Sequence, residues 1–234
     1  MIRTAVTAAL RVALVCAPVA VAAQVTTADE GTFTVTREGN RIGREEFRIM
    51  KQPVAGSVGY VARGLGAYGD RRVTAALQTD ASGSPLGYQV DVKNGVEVES
   101  RLTAQILHGR LSTQIRTSRG EAANEFATGE GTVLLDEEMY HQYFFLPLSG
   151  RLGGASADMS VLVPRRNAQG ALRVNRGGAD PVTIAGQSLA ATRYVLSSPG
   201  APERHVWLDA GGRVLKVSVP SQAIVVLRDD PPGH

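Results

Sequence analysis

The chain has 234 residues, with 25 Lys and Arg against 22 Asp and Glu, 26 glycines and one cysteine. That length buries a sizeable core, as one large β domain or two small ones, and no dense Lys/Arg run with interleaved aromatics supports a nucleic-acid footprint. A lone cysteine, Cys16, excludes an intrachain disulfide and any site built from several thiolates.

Residues 1–23, MIRTAVTAALRVALVCAPVAVAA, carry Arg3 and Arg11, a short apolar run and small residues at the end, the pattern of an export signal. Val21 and Ala23 fit the small-x-small requirement, which places cleavage before Gln24. The apolar run after Arg11 contains Pro18 and is short of the ~20 residues of a spanning helix. Acylation at Cys16 is the rival reading, and the bulky Val15 before it argues against that. Loss of Arg3 and Arg11 leaves 23 basic against 22 acidic residues, so the mature chain is nearly neutral. The expected organisation is a leader over 1–23 and one antiparallel β half-barrel over 24–234, soluble, and periplasmic or secreted.

From Thr32 onward the dominant pattern is alternation with period two, bounded by Gly, Asn, Asp and Pro clusters. It predicts strands over 32–37, 41–50, 58–64, 73–79 and 86–92. In the hairpin VDVKNGVEVES (90–100) a two-residue loop at Asn94-Gly95 would seat valines beside glutamates. A three-residue loop pairs Val92 with Val96, Val90 with Val98 and Leu86 with Leu102, with Gly95 in the left-handed position of a bulge turn; this register is preferred. The next hairpin turns at His108-Gly109 and pairs Leu107 with Arg110, Ile106 with Leu111, Ala104 with Thr113 and Leu102 with Ile115. The apolar face then runs unbroken over three strands. Its reverse, with Glu97, Glu99, Arg101, Gln105, Arg110, Gln114 and Arg116, reads as a solvated exterior.

LLDEEMYHQYFFLPLSG (134–150) breaks the alternation. Asp136 is a candidate cap, Glu137 and Glu138 suit a first helical turn, and Pro147 and Gly150 are stop signals. Four of the chain's twelve aromatic residues fall between Tyr140 and Phe145. A short helix over 136–146, lying as a plug against the concave apolar face, is expected. Further strands are predicted at 157–163, 182–185, 189–196 and 223–228. In HVWLDAGGRVLKVSVP (205–220) the expected hairpin pairs Val206 with Leu215 and leaves Trp207 on the other side with Val214 and Lys216. The whole reads as mainly β: a strongly curved antiparallel sheet, half-barrel or open barrel meander, enclosing a short helix.

Chemistry-bearing motifs are sparse. His108 reads as a turn residue and His234 as terminal. His141, one turn after Glu137 and Glu138, could supply a two-ligand metal edge, but catalytic zinc takes three protein ligands and no spacing identifies a third; the competing reading is an exposed helix residue. AGSVG and ASGSP lack the strand-to-helix elbow of a serine nucleophile. Glu45 and Glu46 point to opposite faces of a strand and cannot act as a pair in glycoside cleavage. GRLGGAS (150–156) lacks the Lys-Ser/Thr ending of a phosphate loop. The pairs Arg71-Arg72 and Arg165-Arg166 read as solvated surface. No catalytic residue, cofactor or metal is expected.

Three phrases, EGNRIGREEFRI, VLLDEEMYHQYFFLPL and VWLDAGGRVLKVSVP, resemble in their order an uncharacterised family of exported bacterial β proteins related to the lipoprotein-carrier (LolA-like) half-barrels. The matched positions are Gly39 and Gly43, then Asp136, Tyr140 and Tyr143, then Trp207, Asp209, Gly212 and Arg213. The resemblance implies a curved sheet partly enclosing helices and, in the carriers, an acyl chain. Here one short helix stands where the carriers have several. Two expectations follow. One is a non-catalytic binding protein holding a lipid or other apolar ligand, lined by Leu86, Tyr88, Val90, Val98, Leu102, Ile106, Tyr140, Tyr143 and Phe144, residues that could equally form a closed core. The other is an envelope assembly or scaffold protein meeting a protein partner through its surface, with Trp207, Val214 and Lys216 as the contact patch.

Overall fold

The computed structural model describes residues 25–107 and 109–233. The expected leader, with Cys16, and the histidines at 108 and 234 lie outside them.

Alternating apolar and polar residues fold into long strands: β1 (Thr26–Arg37), β2 (Asn40–Val54), β3 (Ser57–Tyr68), β4 (Arg71–Asp80), β5 (Pro85–Asn94), β6 (Glu97–Leu107), β7 (Arg110–Thr117) and β8 (Gly120–Ala127). This up-and-down run is followed by β9 (Thr132–Leu134), the 3₁₀ turn Tyr140–Phe145 and two shorter 3₁₀ turns. The chain returns through β10 (Ser156–Val163), β11 (Ala168–Ala179), β12 (Val182–Ile184), β13 (Gln187–Leu189), β14 (Thr192–Ser197), β15 (Arg204–Leu208), β16 (Val214–Val219) and β17 (Ile224–Arg228).

Fifteen strands make one sheet in the order β8-β7-β6-β5-β4-β3-β2-β1-β17-β16-β15-β14-β11-β10-β9. The mainly β, curved, open antiparallel architecture read from the sequence is therefore present, with one exception in direction, the parallel pair β9–β10. The first and last strands meet at β1–β17, which joins the two halves of the sheet. A buried pair straddles that joint. Arg228 reaches Asp29 through two hydrogen bonds of 3.0 and 2.9 Å. The ends of the sheet, β8 and β9, are neighbours in sequence, and Gln169 donates to the Ala127 carbonyl at 2.6 Å across the gap. Ion pairs Arg110–Glu125 and Arg116–Glu121, at 2.9 and 2.7 Å, cover the outer face of β8 with charge, one of the ways an edge strand is kept from pairing further.

One face of the sheet is apolar and curls around a single core that takes residues from both halves, among them Phe33, Ile49, Leu77, Leu102, Leu172 and Val206. The β12–β13 ribbon lies outside this sheet. Its Val182 and Ile184 form a second apolar cluster with Trp207 and Leu215.

Registers separate what alternation fixes from what turns decide. The β6–β7 hairpin pairs Leu107 with Arg110, Ile106 with Leu111, Ala104 with Thr113 and Leu102 with Ile115, as read from the sequence. The β5–β6 register differs. Asn94 faces Glu97, Lys93 faces Val98, and a bulge then brings Val92 opposite Ser100, Val90 opposite Leu102 and Tyr88 opposite Ala104. Gly95 does take a positive φ of 58°, but Val96 sits at the turn and is 97% exposed, and Val98 is 48% exposed. The physical gain lies further along the pair: the small Ala104 opposite Tyr88 leaves the phenol room to reach inward, where it bonds Asp136. A bulge absorbs the extra residue at little cost. The β15–β16 hairpin is corrected likewise. Val206 pairs with Val217 and Leu208 with Val214, with a bulge after Trp207, so Val214 belongs to the main core and Leu215 to the Trp207 cluster.

The two registers differ in what truncation removes. Leu102→Ala deletes a fully buried side chain and is expected to cost about 2–5 kcal/mol, whereas Val98→Ala should stay within about 0.5 kcal/mol of the parent. Urea unfolding of both variants measures this, and comparable losses would refute the bulged register.

Candidate functional site

The segment between β9 and β10 carries most of the buried polar chemistry. Residues 139–146 enter the space inside the curled sheet: Met139, Phe145 and Leu146 are almost fully buried, and Tyr143 and Phe144 nearly so. The predicted plug therefore exists, but as the 3₁₀ turn Tyr140–Phe145 with Met139 at its N-cap and no side-chain cap. Asp136 does not cap it. Instead the Asp136 carboxylate accepts from Tyr88 Oη at 2.7 Å and Arg165 Nε at 2.8 Å.

What holds the plug is Glu45. Strand β2 alternates faces, so Glu46 is solvent-exposed while Glu45 points inward with no accessible surface. Its carboxylate accepts the backbone N–H of Tyr140 at 2.7 Å and of His141 at 3.3 Å, and it also bonds His141 Nδ1. A short 3₁₀ turn leaves its first N–H groups without partners, and this carboxylate answers two of them from across the barrel. His141 is thus buried against β2 and stacked on Phe47 at 5.9 Å, not exposed as one reading of the sequence had it. Its Nε2 and the Gln142 Nε2 have no protein partner. Gln142 uses its other end, Oε1, to accept the Asp136 N–H at 2.6 Å.

The wall gives way where the plug presses on it. A Cβ on Gly64 would stand 2.6 Å from the His141 ring, and one on Gly66 would stand 3.1 Å from Met139 Cε. Strand glycines often mark such a close approach; RGLGAY in β3 carried that signal in the sequence, and with it the position of the plug.

At the plug's entrance the charges are paired. Glu138 adopts φ 62°, a strained conformation for a residue with a side chain. Its carboxylate is held by Arg71 and Arg165, and its carbonyl accepts the Tyr68 hydroxyl. Arg166 pairs with Glu137. The adjacent arginines 165 and 166 therefore have opposite fates: Arg165 is 8% exposed, against a solvated reading, and Arg166 is 57% exposed. His141 binds Glu45 while Glu137 and Glu138 bind arginines, so the two-ligand metal edge does not form. No group of three His, Cys, Asp or Glu that could hold a metal occurs among the described residues.

Of the nine residues proposed to line a ligand space, Tyr88, Val90, Leu102, Tyr143 and Phe144 are buried in one core. Ile106 and Tyr140 pack against it part-buried, and Leu86 is part-buried. Val98 lies outside, for the register reason given above. The proposed surface patch also dissolves. Trp207 is 7% exposed beneath the β12–β13 ribbon, donates to Asp180 at 2.9 Å, and carries Lys216 over its ring at 4.5 Å.

An open space does exist on the other side of the sheet. The outward faces of β1–β5 line a groove of about 860 Å³, built from two cross-strand rows. One runs Thr32, Glu46, Leu65, Thr74, Asp91, and the other Glu30, Arg48, Arg63, Ala76, Gln89. Leu65, 44% exposed, Thr74 and Ala76 are its small or apolar members, and Arg63 stands beside Leu65 on the central strand. The groove's ends are charged, with Glu30 bound to Arg48 at 2.6 Å and Asp91 to Arg101 at 2.8 Å.

No family model matches the sequence, and no curated protein matches it significantly. Two solved structures are matched by this chain. One is a β-barrel-like protein of the domain of unknown function DUF1849 from Brucella abortus, with a TM-score of 0.52 at 11% identity over 86% of this chain and 93% of that one. The other is a DUF1089 family protein from Pseudomonas aeruginosa, with a TM-score of 0.41 at 12% identity over 92% and 98%. The first supports a β-barrel-like architecture and no activity. The lipoprotein-carrier kinship expected from the three phrases finds no match, and the likeness found is to a β-barrel-like protein of unknown function. Among the described residues no helix is long and apolar enough to cross a membrane.

Two variants test the plug's anchorage. Glu45→Ala leaves two buried N–H groups and His141 without a partner and is expected to cost about 3–5 kcal/mol, the range for breaking a buried pair. A loss under 1 kcal/mol in urea unfolding would show that Glu45 does not hold the plug. Burial lifts the Asp136 carboxyl above its ordinary 3.8, outweighing the pull of Arg165 and Tyr88 in the other direction. An acid whose folded pKa is raised binds its proton more tightly when folded, so stability falls as pH climbs from 3.8 through the raised value. The drop should be smaller in Asp136→Asn than in the parent; equal drops would refute the assignment.

Proposed function

We propose that this chain is an exported, non-catalytic binding protein of the periplasm or cell exterior that acts through its surface on a protein partner, with the groove over β1–β5 receiving an extended segment of that partner. The observation that carries the reading is the contrast between the two faces of the same strands. The inner face is filled by residues 139–146, while the outer face carries the 860 Å³ groove. Export rests on the leader pattern of residues 1–23.

The groove's chemistry favours a peptide over a lipid. Five strands spaced at ~4.8 Å give a floor about 19 Å wide, the length of roughly six extended residues. Arg63 and Glu46 form no ion pair among the described residues, so each is available to an incoming charge of opposite sign. An acyl chain would find only Leu65, Ala76 and the threonine methyls. Carriage of a lipid in the concave face, the carriers' mode, would require the plug to leave a position fixed by Glu45, Asp136 and Arg165.

Photo-crosslinking residues in place of Leu65 and Ala76, in the native host, are expected to give a discrete protein adduct that the same residues in place of Gln105 and Gln114 do not, and adding Leu65→Arg is expected to abolish the adduct formed from position 76. Solvent extraction of the natively purified protein followed by mass spectrometry reads the other arm. A stoichiometric lipid, or adducts indifferent to position, would overturn the proposal, and amino-terminal sequencing of the native protein that found Met1 would overturn export.

A further inference from the structure

A second cavity, of about 250 Å³, opens at the rim of the barrel between the start of the plug and the β1–β17–β16 wall. It is distinct from the groove and faces the other side of the sheet. Four arginines, 37, 71, 166 and 204, reach it together with Asp136, Glu137 and Glu138. The three carboxylates are already answered: Asp136 by Arg165, Glu137 by Arg166, and Glu138 by Arg71 and Arg165. Arg37 and Arg204 have no carboxylate partner among the described ion pairs. The acid nearest Arg204 in sequence, Glu203, is bound to His205 at 2.8 Å. Two uncompensated guanidinium groups thus line one small cavity, at whose floor lies the buried Tyr143, whose hydroxyl feels Arg204. The remaining wall is apolar, from Pro202, Val219 and Ile224.

We infer that this cavity is a binding site for a small oxyanion, a phosphate or carboxylate group held between Arg37 and Arg204 with the Tyr143 hydroxyl as a further donor. The planar, permanently charged fork of arginine suits such groups, which it can grip with two parallel hydrogen bonds. A pocket of 250 Å³ falls just under the range of drug-sized ligand sites, so the anion is small, or is the head of a larger molecule whose apolar remainder leaves past Val219 and Ile224. The carboxylates in the wall do not oppose this. Each is neutralised in place by Arg71, Arg165 or Arg166, which leaves the charge of Arg37 and Arg204 to an incoming anion.

Isothermal titration with inorganic phosphate and with acetate, at constant ionic strength set by sodium chloride, tests the free anion. Co-sedimentation with phosphatidylglycerol vesicles, against phosphatidylcholine vesicles, tests the anion carried on a lipid head. Saturable binding in either arm, weakened tenfold or more by Arg37→Gln and by Arg204→Gln but unchanged by the remote Arg119→Gln, is the expected result, and the arm in which it occurs identifies the source. Circular dichroism melting without anion should be the same for all three variants. Absence of saturable binding in both arms, or binding that Arg204→Gln leaves intact, would overturn the inference.

Discussion

A carboxylate with no access to water, accepting two backbone N–H groups of a segment 95 residues away in sequence, is the constraint on which the rest of this molecule depends. Burying a charge costs several kcal/mol after relaxation, and Glu45 offsets that by satisfying groups that would otherwise be buried without partners: the Tyr140 and His141 amides and the His141 ring. The bonds are directional, so they fix where residues 139–146 sit, beyond what apolar packing alone would decide. Asp136 repeats the device at the entrance with Tyr88 and Arg165. The plug is therefore pinned to β2 at one point and to β5 and residue 165 at another.

Because a strand alternates, inner chemistry and outer chemistry are adjacent in sequence. Glu45 holds the plug and Glu46 lines the groove; Gly64 admits His141 and Leu65 faces out beside it. The groove and the plug stand back to back across β2–β4. The missing side chain at Gly64 lets the wall be approached from inside, while the small Thr74 and Ala76 leave the outer surface low between charged ends. A substitution in these strands that reshapes one face therefore bears on the other through a single layer of backbone.

Period-two alternation made the architecture readable: the strands between Thr32 and Thr79, the β6–β7 register and the inward-outward split of Glu45 and Glu46 follow from it directly. Three things escaped it. Strands β8 and β11, GEAANEFA and AQGALRVNRGGA, have too few apolar residues to show the period, because one lies at the sheet's end and the other is exposed over much of its length. The bulges after Val92 and Trp207 are invisible to alternation, since one extra residue resets the faces without changing the composition on either side. The inward turn of the histidine at 141 and the arginine at 165 depended on acids distant in sequence. In a helix-like stretch rich in charge, DEEMYHQY, the default reading places such residues in water. The glycines of RGLGAY were the available clue to a close approach from the interior.

The filled interior also bears on where affinity can arise. For an apolar ligand to occupy the inner face, Tyr143, Phe144 and Phe145 would have to return to water, at about 1.5–3 kcal/mol for each side chain re-exposed, or roughly 5–9 kcal/mol for the three. The bonds to Glu45 would be lost as well, leaving a buried charge short of partners unless water followed the departing plug. An acyl chain would have to recover all of this before any net binding appeared. A ligand at the outer groove or at the rim between Arg37 and Arg204 meets side chains already in place, and gains its contacts without dismantling the core. The asymmetry follows from one residue: an apolar side chain at position 45 could let the plug move against a smooth wall, whereas a glutamate with two amides in its grip ties any opening of the interior to breaking directional bonds in a medium where they are strong.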